Sequence, residues 1–217
     1  MSQNSIILST AEYVRKLLTE DKSGHDWWHV YRVWNMARKI SIKEDADLLI
    51  VELAALLHDI ADWKFHDGDI SIGPEKAKEW LDQYDLNNEV KDSVSRIIRD
   101  ISFRGANEEP PPLTLEGKVV QDADRLDAMG AIGIARAFSY GGNAGRIIYD
   151  PDIEPILHDS ARSYLTNQGP SINHFYEKLL LLKDLMNTNY GKQIAIERHR
   201  FMKLYLDRFY EEWDGKL

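Results

Sequence analysis

The sequence predicts an all-α fold, a helical bundle, and three observations carry that reading. Apolar residues recur at helical spacing in Val33, Met36, Ala37 and Ile40, and again in Leu49, Leu53, Leu56, Leu57 and Ile60; this is the pattern of helices that bury one stripe. No comparable stretch alternates apolar and polar residues with the period of two that a half-buried strand requires. The 13 Gly and 7 Pro gather at a few points instead of being scattered, so long helices are separated by discrete breaks.

Taken in order, helices are expected at about 9–20, around Val33–Ile40, around Leu49–Ile60, and at about 75–83, 87–101, 114–138, 171–186 and 192–212. Breaks are expected at Gly68, at Gly73-Pro74, at 105–112 and at 141–155. Pro74 with Glu75 reads as a helix N-terminus, since proline is pre-set for the first helical position and an acid suits the positive end of the helix dipole. The run from Arg104 to Pro112 is too polar and proline-rich for helix and reads as a surface loop. The stretch from Lys192 to Leu217 mixes Ile194, Met202, Leu206 and Phe209 with four basic residues, as a docked helix with a charged outer face does. At 217 residues the chain reads as one domain, 1–217, with a motif-bearing core at about 20–150 and C-terminal helices at about 151–217 packed on it.

Composition removes several function classes. There is no cysteine, which excludes thiolate zinc sites, iron–sulfur clusters, thiol nucleophiles and disulfides and leaves His and carboxylate as the strong metal ligands. The net charge of −9 sets an unfavourable field for a nucleic acid polymer or an anionic membrane, while a small anion held by a few local cations remains compatible. The apolar runs Leu53 to Leu57 and Leu179 to Leu182 fall far short of the ~18 residues of a membrane span. Met1 to Ser9 has no basic n-region. A soluble, cytoplasmic protein is the expectation; the oligomeric state is left open.

The chemistry gathers around His-Asp pairs, of which there are four: His25-Asp26, His58-Asp59, His66-Asp67 and His158-Asp159. Position separates them. His58-Asp59 closes the apolar run 53–57, where two strongly polar side chains on a buried face need partners. Asp67 beside Gly68, and Asp159 after the Gly/Pro-rich stretch, read as turn or capping residues. Upstream, in Gly24-His-Asp-Trp-Trp-His29, His25 and His29 lie four apart and would share a helix face with Arg32. Downstream, Gln121-Asp-Ala-Asp-Arg-Leu-Asp-Ala128 puts Asp124 and Asp127 on one face and Asp122 elsewhere; an acidic face of this kind is also what a solvated helix shows.

These motifs together resemble the HD superfamily of metal-dependent phosphohydrolases, whose order H…HD…D is matched by His29, His58-Asp59 and Asp124. The resemblance extends through Gly24–Val33, Leu56–Lys64, Ile-Ser-Phe (101–103) and Asp122–Gly133, and is to the small stand-alone bacterial HD hydrolases of the YpgQ/YedJ type. It implies an HD-type helical fold with His29, His58, Asp59 and Asp124 as metal ligands. It also implies hydrolysis of phosphate esters or anhydrides, with a nucleotide as the small phosphorylated substrate. A set of two imidazoles and two carboxylates suits one divalent ion, Mn, Fe, Co, Ni or Mg, with open positions for water and a phosphoryl oxygen. Asp62, three residues beyond Asp59, would face the same cleft and orient or deprotonate the attacking water, or else is a surface acid at a helix end. Lys64 and Arg32 would clamp phosphate, or else are solvated; His25 would bind substrate, or else pack on Trp27 or Trp28.

Two other readings compete. His25-Asp-Trp-Trp-His29 imitates the zincin pattern of a metalloprotease, with Asp in place of Glu and no role for His58-Asp59 or Asp124. A nucleotide-binding regulatory protein could keep the HD pocket without turnover, although every ligand of the pattern is present.

Overall fold

The computed structural model describes residues 2–18, 26–61, 71–101, 112–157 and 169–217. Among them it contains nine α-helices, one 3-10 helix and no strand, so the all-α expectation is met. The chain divides into two compact units, the first built mainly from residues up to Ala123 and the second from Asp124 onward.

The first unit is assembled around one helix that is apolar but for a single glutamate. Helices α1 (Gln3–Leu17), α2 (Trp27–Glu44), α3 (Leu48–Leu57), α4 (Ile72–Leu81) and α5 (Asn88–Ile101) belong to it, with most of α6 (Leu115–Asp127). Every residue of α3 from Val51 to Leu57 is buried, as a helix without a polar stripe must be. It packs against α1, α2 and α5. Two aspartates start this part of the chain. Asp26 accepts from the His29 N–H at 2.9 Å to cap α2, and Asp47 accepts from the Leu49 and Ile50 N–H groups to cap α3, each satisfying donors that a helix start leaves open. The single carboxylate inside the buried run, Glu52, is matched by Trp34 Nε1 at 3.1 Å and Arg38 Nε at 2.6 Å. The α1 and α4 helices are tied by Tyr13 stacked on Trp80 at 4.0 Å and by the Trp80 indole N–H donating to the Thr10 hydroxyl at 2.9 Å.

The second unit holds the last turn of α6, then α7 (Gly130–Asn143), the short α8 (Asn173–Glu177), a 3-10 helix (Leu179–Leu185) and the long α9 (Asn189–Trp213). In this unit α9 packs on α7 and on the 3-10 helix. An aromatic cluster of Phe138, Phe175, Tyr205, Phe209 and Tyr149 runs from the buried Phe175 to half-buried rings.

Several boundaries differ from the sequence reading. The first helix starts at Gln3, six residues before the expected position, because Ser2 caps it by accepting from the Ser5 N–H. Helix α4 begins at Ile72, so Pro74 is its third residue and not its first; that is tolerated because N–H groups of the first turn have no helical partner to lose. The single helix predicted over 114–138 is two. Met129 is extended and Gly130 takes φ +70°, a left-handed conformation that ends a helix and suits glycine. Gly133 permits the restart, since a Cβ there would lie 2.3 Å from the Ala128 carbonyl oxygen. Gly141, read as a break, lies inside α7. The segment predicted as one helix over 171–186 is the short α8 followed by 3-10 backbone. The expected break at Gly68 and nearly all of the Arg104–Pro112 loop lie outside the described residues.

Candidate functional site

The first unit brings His29, His58 and Asp59 together. His29 is delivered by the first turn of α2, two residues past its start, and is held there by the Asp26 cap on its own backbone N–H. His58 and Asp59 follow the last turn of α3, so the apolar helix positions them at the edge of the core. One ligand atom from each residue lies within 4.8 Å of the other two. Both imidazole side chains are almost fully buried, and the Asp59 carboxylate is 15% exposed. The two ring centroids lie 5.4 Å apart in an edge-to-face arrangement.

The donor set shows what this arrangement accommodates. The Nδ1 of His58 lies 2.8 Å from the Ala55 carbonyl oxygen. A carbonyl only accepts, so Nδ1 carries the proton and, in a neutral ring, Nε2 presents a lone pair. That Nε2 stands 3.3 Å from Asp59 Oδ2, and His29 Nε2 stands 3.2 Å from the same oxygen. Two acceptors at contact distance repel unless positive charge lies between them, on a protonated imidazole or on a metal cation. A histidine whose far nitrogen is fixed by a backbone carbonyl is also the usual way a metal ligand is oriented. With two imidazoles and a carboxylate and no sulfur, the residues present fit a divalent ion of the manganese-to-nickel series or magnesium.

Two of the other residues singled out from the sequence lie among the described residues. Asp124 lies on α6 at intermediate exposure, as the first residue of the second unit. Arg32 is on α2, one turn after His29, also at intermediate exposure. Asp62, Lys64 and His25 lie outside the described residues. So do His66 and His158. The zincin-like reading loses its acid: Asp26 is occupied as the cap of α2, its side chain accepting from the His29 N–H.

Two further carboxylates, Asp122 and Asp127, are deeply placed on α6. Asp122 is fully buried in the first unit and Asp127 is 4% exposed in the second. The signal for Asp122 was present, since it sits three residues after Val119 and four before Leu126, on the buried stripe. Asp127 pairs with Arg136 at 2.7 Å. Beside it the Arg198 guanidinium donates to the Leu126 carbonyl; burial pushes that guanidinium below its ordinary pKa while the nearby Asp127 opposes the shift. The C-terminal turn of α6 is thus closed by an arginine from α9, a favourable charge for that end of a helix.

Comparison with known proteins agrees with this architecture. The HD domain family model matches residues 27–129, a span that contains His29, His58, Asp59 and Asp124. YpgQ of Bacillus subtilis (strain 168) is 41% identical over 204 residues, covering 94% of this chain and 91% of that protein. Among solved structures, an HD-superfamily hydrolase from Bacillus thuringiensis is 44% identical with a TM-score of 0.79, covering 98% of this chain and 99% of the other. The B. subtilis YpgQ structure in complex with ADP is 37% identical with a TM-score of 0.76, covering 98% and 97%. Identity of this order across nearly the whole of both chains, together with the His and His-Asp elements meeting in one place, establishes that this chain belongs to the HD superfamily and has the fold of its hydrolases.

Proposed function

We propose that the protein is a divalent-metal-dependent phosphohydrolase acting on a small nucleotide, with His29, His58, Asp59 and Asp124 as the ligands of one ion. The observation that carries this reading is the His29–His58–Asp59 group, in which a fixed His58 tautomer turns a lone pair toward a carboxylate. That YpgQ was crystallised with ADP supports a nucleotide as the ligand class. A bound ion supplies Lewis acidity and a water of lowered pKa. The protein's part is to hold and orient. His29 and His58, locked by the α2 cap and the Ala55 carbonyl, keep their Nε2 atoms directed at one point. Asp62 accepts the proton of the attacking water, and Arg32 and Lys64 bind the phosphoryl oxygens whose charge rises as the bond breaks. His25 contacts the substrate.

For a nucleoside triphosphate we assign attack to the α-phosphorus. Water adds there, the bond to the bridging oxygen breaks, and the products are a nucleoside monophosphate and pyrophosphate. The test is hydrolysis in oxygen-18 water by metal-stripped protein refilled with Mn, Fe, Co, Ni or Mg in turn. The expected result is activity only after refilling, with label in the monophosphate. Label in free orthophosphate with a diphosphate co-product overturns the α assignment. Saturable nucleotide binding without turnover under every ion favours the regulatory reading instead.

A further inference from the structure

The second unit contains a cavity of about 280 Å³, walled by Tyr149, Tyr176, Tyr210, Asn173, Glu154 and the apolar side chains within 151–155. None of these belongs to the residues assigned above to metal or phosphate. At ~30 Å³ per water-sized atom, the space holds roughly nine non-hydrogen atoms. Among the described residues, no Lys, Arg or His lines it. The wall therefore offers aromatic faces, phenol and amide oxygens and one carboxylate, a set that repels phosphate and attracts positive charge.

The walls are built, not incidental. Asn173 is 2% exposed, and its side-chain amide donates to the Ile153 carbonyl at 2.8 Å. Glu177 accepts from the Ile156 N–H at 3.1 Å, and the Ser171 and Ile172 N–H groups donate to the Ile147 and Ile148 carbonyls at 2.9 and 3.0 Å. Both ends of the segment 147–156 are thus pinned beside α8. The Tyr149 and Tyr210 rings, 5.3 Å apart, meet at 71°, so two aromatic walls stand near a right angle. Tyr210 is hydrogen-bonded to Tyr176, and burial first, then that bond, pushes its hydroxyl well above the ordinary tyrosine range. It remains a neutral phenol, and among the described residues Glu154 is the one formally charged group on the wall.

We propose that this cavity is a binding site for a small organic cation, an alkylammonium group of about choline size, held by Tyr149 and Tyr210 and neutralised by Glu154. Aromatic walls with one carboxylate are the chemistry by which quaternary ammonium ions are recognised.

Calorimetric titration of the full chain with choline chloride tests it, with 3,3-dimethylbutanol as the uncharged isostere. Choline is expected to bind saturably, and the isostere at least about tenfold more weakly, within the range a cation–π contact supplies. Glu154→Gln, at an exposed position where folding is not at stake, is expected to weaken choline by about tenfold while leaving nucleotide hydrolysis unchanged. Tyr210→Phe keeps the ring face and is expected to hold affinity within about threefold. Trp213, 5.0 Å from Tyr149, supplies a second readout through its fluorescence. Equal binding of choline and the isostere overturns the proposal, as does an unaltered choline affinity in Glu154→Gln or no saturation by choline up to concentrations on the order of 100 mM, where even the weakest useful site fills.

Discussion

At the scale of single residues, the informative feature is the pairing of a backbone carbonyl with a side chain. Ala55 sets the tautomer of His58, and that tautomer makes its contact with Asp59 favourable only in the presence of positive charge. Removal of the ring is therefore expected to abolish metal binding together with activity. Calorimetry of Mn binding should show His58→Ala weakened by far more than the 10- to 100-fold typical of a lost orienting partner, while His158→Ala binds as the parent does. Equal losses from the two substitutions would mean that the wrong pair has been assigned. The two phosphate-side residues should differ in kind. Asp62→Asn is expected to lower kcat with metal still bound, and Lys64→Ala to raise KM as well. An Asp62→Asn enzyme within about twofold of parental kcat would leave the general-base role to the metal hydroxide alone or to another acid such as Asp127.

At the scale of elements, the break between α6 and α7 sets where the carboxylates of α6 come to lie. Gly130 holds φ +70°, and a Cβ there would meet Arg198 Cγ at 3.0 Å, the same arginine that closes the Leu126 carbonyl. Gly130→Ala is expected to cost about 1–2 kcal/mol for the left-handed backbone alone, with a further loss as Arg198 shifts. Thermal unfolding should show the drop. A variant melting with the parent would mean that the turn relaxes freely and that Arg198 does not brace it.

At the scale of the whole molecule, an ion that binds only the folded state raises stability by mass action. At a free concentration near 100 times Kd that amounts to about 2.7 kcal/mol. For a chain of this length the corresponding rise in Tm is roughly 5–10 °C. The rise should vanish in His58→Ala and be reversed by a chelator. A Tm insensitive to every divalent ion would argue that the His29–His58–Asp59 group is closed by a proton. The net charge of −9 belongs to this scale as well. It predicts turnover of free nucleotides and not of polynucleotides, since only a small anion can reach a local cationic patch without crossing the field of the whole surface.

What the amino-acid sequence determined by itself was the helical class, the apolar α3 and the placement of His58-Asp59 at its end. These rest on local periodicity or on a polar pair closing an apolar run, both written in consecutive residues, whereas the place of His29 beside that pair came from the resemblance to the HD superfamily. Tertiary structure alone decided the rest. That α6 stops at Asp127 depends on a left-handed glycine and on Arg198, which comes from 72 positions away along the chain. That Asp26 is a helix cap and not a protease base depends on where α2 begins, a matter of competing hydrogen bonds for its first N–H groups. Asp122 became a fully buried carboxylate because it shares the stripe of Val119 and Leu126, and helix periodicity shows the stripe without showing how deeply the fold covers it. The cavity of the second unit was invisible in the sequence for the same reason. Its tyrosines lie 27 and 34 positions apart, and only the hydrogen bonds that pin segment 147–156 beside α8 bring their faces to one space.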